Sequence, residues 1–312
     1  MSSSAGPRTA SPTASCSICG GDRVLNPRLT LIYEDSAARA TLSGGNWAQG
    51  SLRLANVQTP YFAEVARSAS TQAADTQFTV DFGVYTAIAG IALGGCQVTS
   101  VARYRVRAFY DDASSVVVYD SGLQDFPSTR VDQELLDWED PGFWEGRSRD
   151  FDDRRKGALL LHIPPAPVLA RVWRIEIIDP SNPTGFIDIG RLIMGRLWQP
   201  DINFTYDGNS LDFEALTDVE ESRSGVKFFN ARNLRRSFSF GFDTLSEQAA
   251  MREIYRIVTT SGVHNQVVVI PDPTDADNVQ RDVFIGTIGT LPSLRRSAFH
   301  RVATSFKINE AL

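Results

Sequence analysis

Arg301-Val-Ala-Thr-Ser-Phe-Lys-Ile-Asn-Glu310, two residues from the end of the chain, alternates cleanly: Val302, Thr304, Phe306 and Ile308 on one side, Arg301, Ala303, Ser305 and Lys307 on the other. A period of two over this length is the mark of a half-buried strand. Working back, Arg281-Asp-Val-Phe-Ile285 begins another strand, and Val267-Val-Val-Ile270 is a short continuous apolar run ended by Pro271-Asp-Pro273. Between these strands and Phe238, Phe240 and Phe242, which fall on one strand face, the pattern predicts a helix. Thr244-Leu-Ser-Glu247 has the spacing of a capping box, Ala250, Ile254, Ile257 and Val258 make an apolar stripe, and Gly262 is placed to end it. Ile202, Phe204 and Tyr206 alternate ahead of the turn Asp207-Gly-Asn209. Residues 196–312 are therefore expected to form an α+β sandwich with a single helix.

Upstream the punctuation changes to many short strands. Phe78-Thr-Val-Asp-Phe82 and Arg103-Tyr-Arg-Val-Arg-Ala-Phe-Tyr110 alternate, the latter with arginine on one face. Ile88-Ala-Gly-Ile-Ala-Leu93, Val116-Val-Val-Tyr119, Leu159-Leu-Leu-His-Ile163 and Val172-Trp-Arg-Ile-Glu-Ile-Ile178 follow, the last before the turn Asp179-Pro-Ser-Asn-Pro183. This predicts an antiparallel jelly-roll β-sandwich over 27–195, a mainly β chain overall. Residues 1–26, rich in Ser, Ala, Thr, Pro and Gly, read as a flexible N-terminal arm.

Bulk composition excludes several classes of function. The chain has 312 residues, 42% hydrophobic and 22% charged, an ordinary globular balance with room for two cores. A net charge of -6 is the wrong sign for a phosphate-binding face, so no specific nucleic-acid binding is expected. Lysine occurs only at Lys156, Lys227 and Lys307, leaving arginine, suited to planar bidentate pairing, as nearly all the positive charge; a high-GC genome gives the same bias. No apolar run approaches the roughly 20 residues that span a bilayer, and the start lacks the basic and apolar regions of a signal peptide, so synthesis in a cytoplasm without membrane insertion is expected. Cys16-Ser-Ile-Cys19 supplies two ligands of a knuckle without a second pair. With Cys96 the cysteines number three, and thiols, not metal or cofactor, are the expectation.

Two segments stand out as contact candidates. Asp137 to Lys156 carries Trp138, Phe143 and Trp144 among dense charge of both signs. Its aromatics have the side chains that dominate interfaces, so the readings are a subunit or glycan contact, local packing, or a calcium site on Asp150, Asp152 and Asp153, which Arg147, Arg149, Arg154 and Arg155 would neutralise. Thr217 to Gly225 places Glu220, Glu221 and Arg223 between two strands, either as a loop reaching a neighbouring subunit or as a solvated hairpin.

No catalytic constellation is visible. His162, His264 and His300 lie far apart, and His162 reads as a satisfied strand histidine. Gly-x-Ser-x-Gly, P-loop and His-Glu-x-x-His patterns do not occur. Adjacent carboxylates such as Glu220 and Glu221 or Asp111 and Asp112 point apart on a strand. A glycosidase's two acids need no local signature, yet a non-enzymatic role is expected.

Asn46-Trp47, Phe78-Thr-Val-Asp-Phe-Gly83, Tyr104-Arg-Val-Arg107, Trp173-Arg-Ile-Glu-Ile177 and Gly185-Phe-Ile-Asp-Ile-Gly-Arg-Leu192, in that order, resemble the galactose-binding-like, or discoidin-like, jelly roll. The last third resembles the tail-tube fold of phage tube proteins and of the ring domain of distal tail proteins. Gly190-Arg-Leu-Ile-Met-Gly195, Trp198-Gln-Pro200, Ser222-Arg-Ser-Gly225, Arg235-Arg-Ser-Phe-Ser-Phe240, Pro271-Asp-Pro273 and Phe306-Lys-Ile-Asn-Glu310 carry that resemblance. It implies a structural subunit of a phage or phage-like tail, a virion protein ringed as a hexamer, with a trimer as the alternative. Such a ring stands at or near the distal tail or baseplate and joins the tube to tip proteins. The jelly roll implies, as the alternative, a carbohydrate-binding module contacting a host-surface glycan. Many distal tail proteins place the ring domain first; here the jelly roll precedes it.

Overall fold

The computed structural model describes residues 25–127, 129–130, 134, 136–139, 143–148, 157–205 and 207–312. Cys16, Cys19, Asp150, Asp152 and Asp153 lie outside the described residues, as does nearly all of the expected arm.

The molecule is mainly β, and its N-terminal half is a sandwich of two antiparallel layers. One layer orders Thr41–Ser43, Phe78–Ile88, Val168–Ile178, Arg103–Phe109 and Val117–Asp120 side by side. Alternation sets its faces: Tyr104, Val106 and Ala108 are buried, while Arg103, Arg105 and Arg107 point outward. The outward arginines meet acids on neighbouring strands, Arg105 Nε donating to Asp120 Oδ1 at 2.9 Å and Arg107 pairing with Glu176. At Ala89 the chain crosses from the end of Phe78–Ile88 into Gly90–Cys96 of the facing layer. That layer runs Ala158–His162, Gly90–Cys96, Arg191–Trp198 and Thr30–Tyr33. Trp173, Phe78 and Ile175 of the first layer and Leu93, Leu192 and Met194 of the second share one core.

The second layer does not stop at Thr30–Tyr33. It continues through Gln266–Ile270, Phe284–Thr290, Arg301–Glu310, Leu234–Ser246 and Ser210–Ala215, and Arg295–Ala298, paired beside Arg301–Glu310, completes one ten-stranded sheet. Thr30–Tyr33 pairs Leu31 with Trp198 on one side and with Val269 on the other. All four of its residues are buried because both faces are covered. Leu31 and Tyr33 join Phe240, Phe306, Ile254 and Ile257 under the helix, and Ile32 joins Ile193, Val268 and Ile285 on the opposite face. The division expected at 195/196 falls inside the strand Arg191–Trp198. Arg191 pins this junction: its guanidinium donates to Gln266 Oε1 at 2.7 Å, to the Gln58 carbonyl at 2.7 Å and to Asp35 Oδ2 at 2.5 Å.

The final strand is Arg301–Glu310, with Val302, Thr304, Phe306 and Ile308 buried as the alternation predicts. A helical segment spans 247–261, its middle turn Ala250–Ile254 in π geometry, and it buries Ala250, Ile254 and Ile257. Gly262 ends it at φ 56°, its N–H donating to the Val258 carbonyl at 3.0 Å. The start differs from the sequence reading. Thr244 remains in the strand Leu234–Ser246, and Ser246 is the cap, its hydroxyl accepting from the Ala249 N–H at 3.2 Å. The reason is the sheet: Leu245 and Ser246 still pair with Val302 and Arg301, so the ladder holds Thr244 extended.

Candidate functional site

The histidines do not converge on a catalytic centre. His162 is buried in the jelly roll with Nδ1 3.2 Å from the Tyr104 hydroxyl and Nε2 3.0 Å from that of Tyr119. Burial holds its pKa down at about 4, so near neutrality it is an uncharged structural ring. His300, at φ 56°, lies 3.3 Å from Glu247 on the surface, and His264 follows the helix terminator Gly262. Among the described residues no three His, Cys, Asp or Glu side chains gather as metal ligands. Cys96 is buried.

The candidate segment around Arg223 is a projecting hairpin. Asp218–Glu221 pairs with Lys227–Asn230, closed by a turn in which the Ser222 N–H donates to the Val226 carbonyl at 2.8 Å. Every residue of both strands is exposed. The pairing places Val219 opposite Phe229 and Glu221 opposite Lys227 on one face, with Glu220 opposite Phe228 on the other. Glu220, Glu221 and Arg223 thus share one tip with two phenylalanines, Phe228 at 61% and Phe229 at 66% exposure. Below the tip, Ser210–Ala215 is also exposed throughout and, among the described residues, is paired on one side only, to Leu234–Ser246. The opposite edge of the same sheet is blunted: Leu159 N–H donates to Gln280 Oε1 and Gln280 Nε2 donates to the Leu159 carbonyl, both at 2.7 Å.

Trp138, Phe143 and Trp144 belong to a different segment. Trp138 is 75% and Trp144 84% exposed, and Phe143 meets Trp144 edge-on with centroids 5.3 Å apart. Trp138 and Trp144 are on the surface, Phe143 is partly buried, and the aspartates suggested for calcium lie outside the described residues.

Two features escaped the sequence reading. The first is a cleft of about 800 Å³ where the two halves meet. Phe62, Gly94 and Leu159 line one side and Leu211, Phe213 and Leu234 the other, with the terminal Leu312 beside them. Its floor needs Gly157, at φ 67°, where an added Cβ would stand 2.7 Å from the Gly95 carbonyl carbon. Three of the charges in the wall are paired within the chain: Arg236 Nε donates to Glu310 Oε1 at 3.0 Å, and Arg67 donates to both Asp188 oxygens at 2.8 Å. The second is a stacked pair of half-exposed tyrosines, Tyr85 and Tyr110, with centroids 4.6 Å apart and planes at 29°. Beside them Arg171 lies 3.3 Å from Asp81 and 3.5 Å from Asp112. Tyr85 reaches Tyr110 where the register between Phe78–Ile88 and Val168–Ile178 shifts, which no local pattern announces. The hairpin did leave a signal: two consecutive phenylalanines, Phe228 and Phe229, shortly after the Ser224-Gly225 turn.

No family model matches this chain, and no curated protein matches it. Among solved structures, CBM32-1 from a family 31 glycoside hydrolase of Clostridium perfringens matches at 11% identity and a TM-score of 0.35, covering 53% of this chain and 99% of that module. The family 32 CBM from C. perfringens NanJ, in complex with galactose, matches at 12% identity and a TM-score of 0.34, with 53% and 99% covered. The lectin domain of lectinolysin, complexed with Lewis B antigen, matches at 14% identity and a TM-score of 0.35, with 52% and 96% covered. What these matches share with the chain is about half its length.

Proposed function

We propose that the chain is a non-enzymatic assembly subunit that docks on copies of itself through the exposed segment 210–230, as a ring component of a phage-like tail. The observation that carries this reading is the hairpin: eight exposed strand residues bearing Val219, Phe228 and Phe229, above an exposed strand paired on one side. A lone two-stranded hairpin is marginal in water, and an open strand edge with apolar side chains is an aggregation hazard unless an assembly covers it. Gln280 caps the other sheet edge at Leu159, and among the described residues no strand pairs the outer edge of Ser210–Ala215. The phage-tail setting, with tube and tip proteins as neighbours and the virion tail as location, rests on the resemblance of the last third to the tail-tube fold. Light scattering and electron microscopy of the purified full chain test it: closed rings of six or three copies are expected, and a strict monomer at high micromolar concentration overturns it.

A second reading is favoured by Tyr85 and Tyr110. Exposed phenol faces beside paired charges are a surface on which a sugar ring can stack while its hydroxyls meet Asp112 and Arg171. Glycan binding by the full chain on an array, lost in Tyr85→Ala and in Tyr110→Ala, is the result this reading requires. Binding unchanged in both variants removes it.

A further inference from the structure

Tyr85 meets Tyr110 through a break in the strand ladder. Asp81 faces Val172 and Thr86 faces Ala170, so Phe82, Gly83, Val84 and Tyr85 stand opposite the single residue Arg171. Gly83, at φ 70°, turns the chain there, its N–H donating to Asp81 Oδ1 at 2.7 Å. Tyr110 follows Arg103–Phe109, and its N–H donates to the Val116 carbonyl at 3.0 Å. The Asp111 carboxylate accepts from the Ser115 and Val116 N–H groups at 2.9 and 3.0 Å. Arg171 ties the two segments, reaching Asp81 ahead of Tyr85 and Asp112 beyond Tyr110. The charge around the phenols is negative. Asp81, Asp111 and Asp112 stand against Arg171, three carboxylates to one guanidinium. Counting Arg174, which lies over the Phe109 ring 5.3 Å from its centroid, still leaves an excess of one carboxylate. Arg171 approaches Asp112 only to 3.5 Å, and the Asp112 side chain is 66% exposed.

We propose that the Tyr85–Tyr110 platform takes a sugar bearing a free amine, with the pyranose ring on the phenol faces and the ammonium at Asp112. This rests on the sugar-stacking reading above and adds to it the charge of the ligand. Stacking on aromatic faces is open to any pyranose, so it does not select among sugars. The excess of carboxylate does. An ammonium is drawn both to Asp112 and to the negative faces of the phenols, a neutral sugar gains the stacking alone, and a carboxylated or sulfated sugar is repelled. At an exposed site this selection is about fivefold at low salt, the size of a surface ion pair. It fades as salt rises, because counterions reach the same groups.

Titration calorimetry of the full chain tests this with oligomers of glucosamine and of N-acetylglucosamine of equal length, in mildly acidic buffer that keeps the glucosamine amines protonated. The wild type is expected to bind the glucosamine oligomer about fivefold more tightly, a preference that Asp112→Asn removes. That change is isosteric and exposed, and it leaves both tyrosines in place. Tyr110→Ala is expected to lose both oligomers, which ties the binding to the platform. Equal affinities in the wild type, or a preference that Asp112→Asn and added salt leave unchanged, overturn the ammonium selection and leave the stacking reading in place. Binding that survives Tyr110→Ala overturns it at this site. If neither oligomer binds while another glycan on the array binds in a Tyr85- and Tyr110-dependent way, the amine inference alone is overturned; silence of both experiments overturns the two together.

Discussion

The imidazole of His162 is held between the phenols of Tyr104 and Tyr119, and this fixes how it responds to acid. Its native pKa of about 4 lies below the 6.5 of an unfolded histidine, so the unfolded chain binds the proton more readily. The stability it contributes is complete above about pH 6.5 and declines as pH falls toward 4, about 3 kcal/mol in all. Urea midpoints of the wild type and His162→Gln, measured from pH 7 to pH 4, are expected to converge as the wild type alone loses this contribution. A constant gap sinks the account. The strand context of His162 was readable, since Leu159-Leu-Leu-His-Ile163 marks a core strand. Its two tyrosine partners were not, because 58 and 43 residues separate them from it.

At the scale of the element, the helix start shows a local signal overruled by a ladder. Thr244 and Glu247 have the capping-box spacing, but the bulge between Phe242 and Leu245 carries the strand two residues further and passes the cap to Ser246. Ser246→Ala is therefore expected to cost about 1 kcal/mol, the typical worth of a cap, and Thr244→Ala well under half of that. Thermal unfolding of the two variants decides, and a larger loss from Thr244→Ala contradicts the assignment. Alternating strands such as Arg103–Phe109 and Arg301–Glu310 were legible because one face of each meets a core. The cleft and the Tyr85–Tyr110 pair were not legible, since each needs contacts between distant segments that no period encodes.

For the whole molecule, the decisive feature is a strand of four residues. The change of pattern near residue 195 suggested two separable units, yet Thr30–Tyr33 lies between Arg191–Trp198 and Gln266–Ile270 and makes one sheet of them. Pairing of position 31 with 198 and 269 leaves no trace in the local sequence. Removing that strand uncovers the edge of Gln266–Ile270 and empties the space of Leu31 and Tyr33 beneath the helix, a loss of several kcal/mol from two large buried side chains. A fragment of residues 196–312 is thus expected to give a collapsed amide spectrum, and one carrying residues 27–36 on a linker a dispersed one. The full chain should unfold in a single transition, with the buried Trp173 of the jelly roll and Trp198 at the junction reporting the same midpoint. An independently folded 196–312 fragment, or two separated transitions, would mean that the shared sheet does not couple the halves.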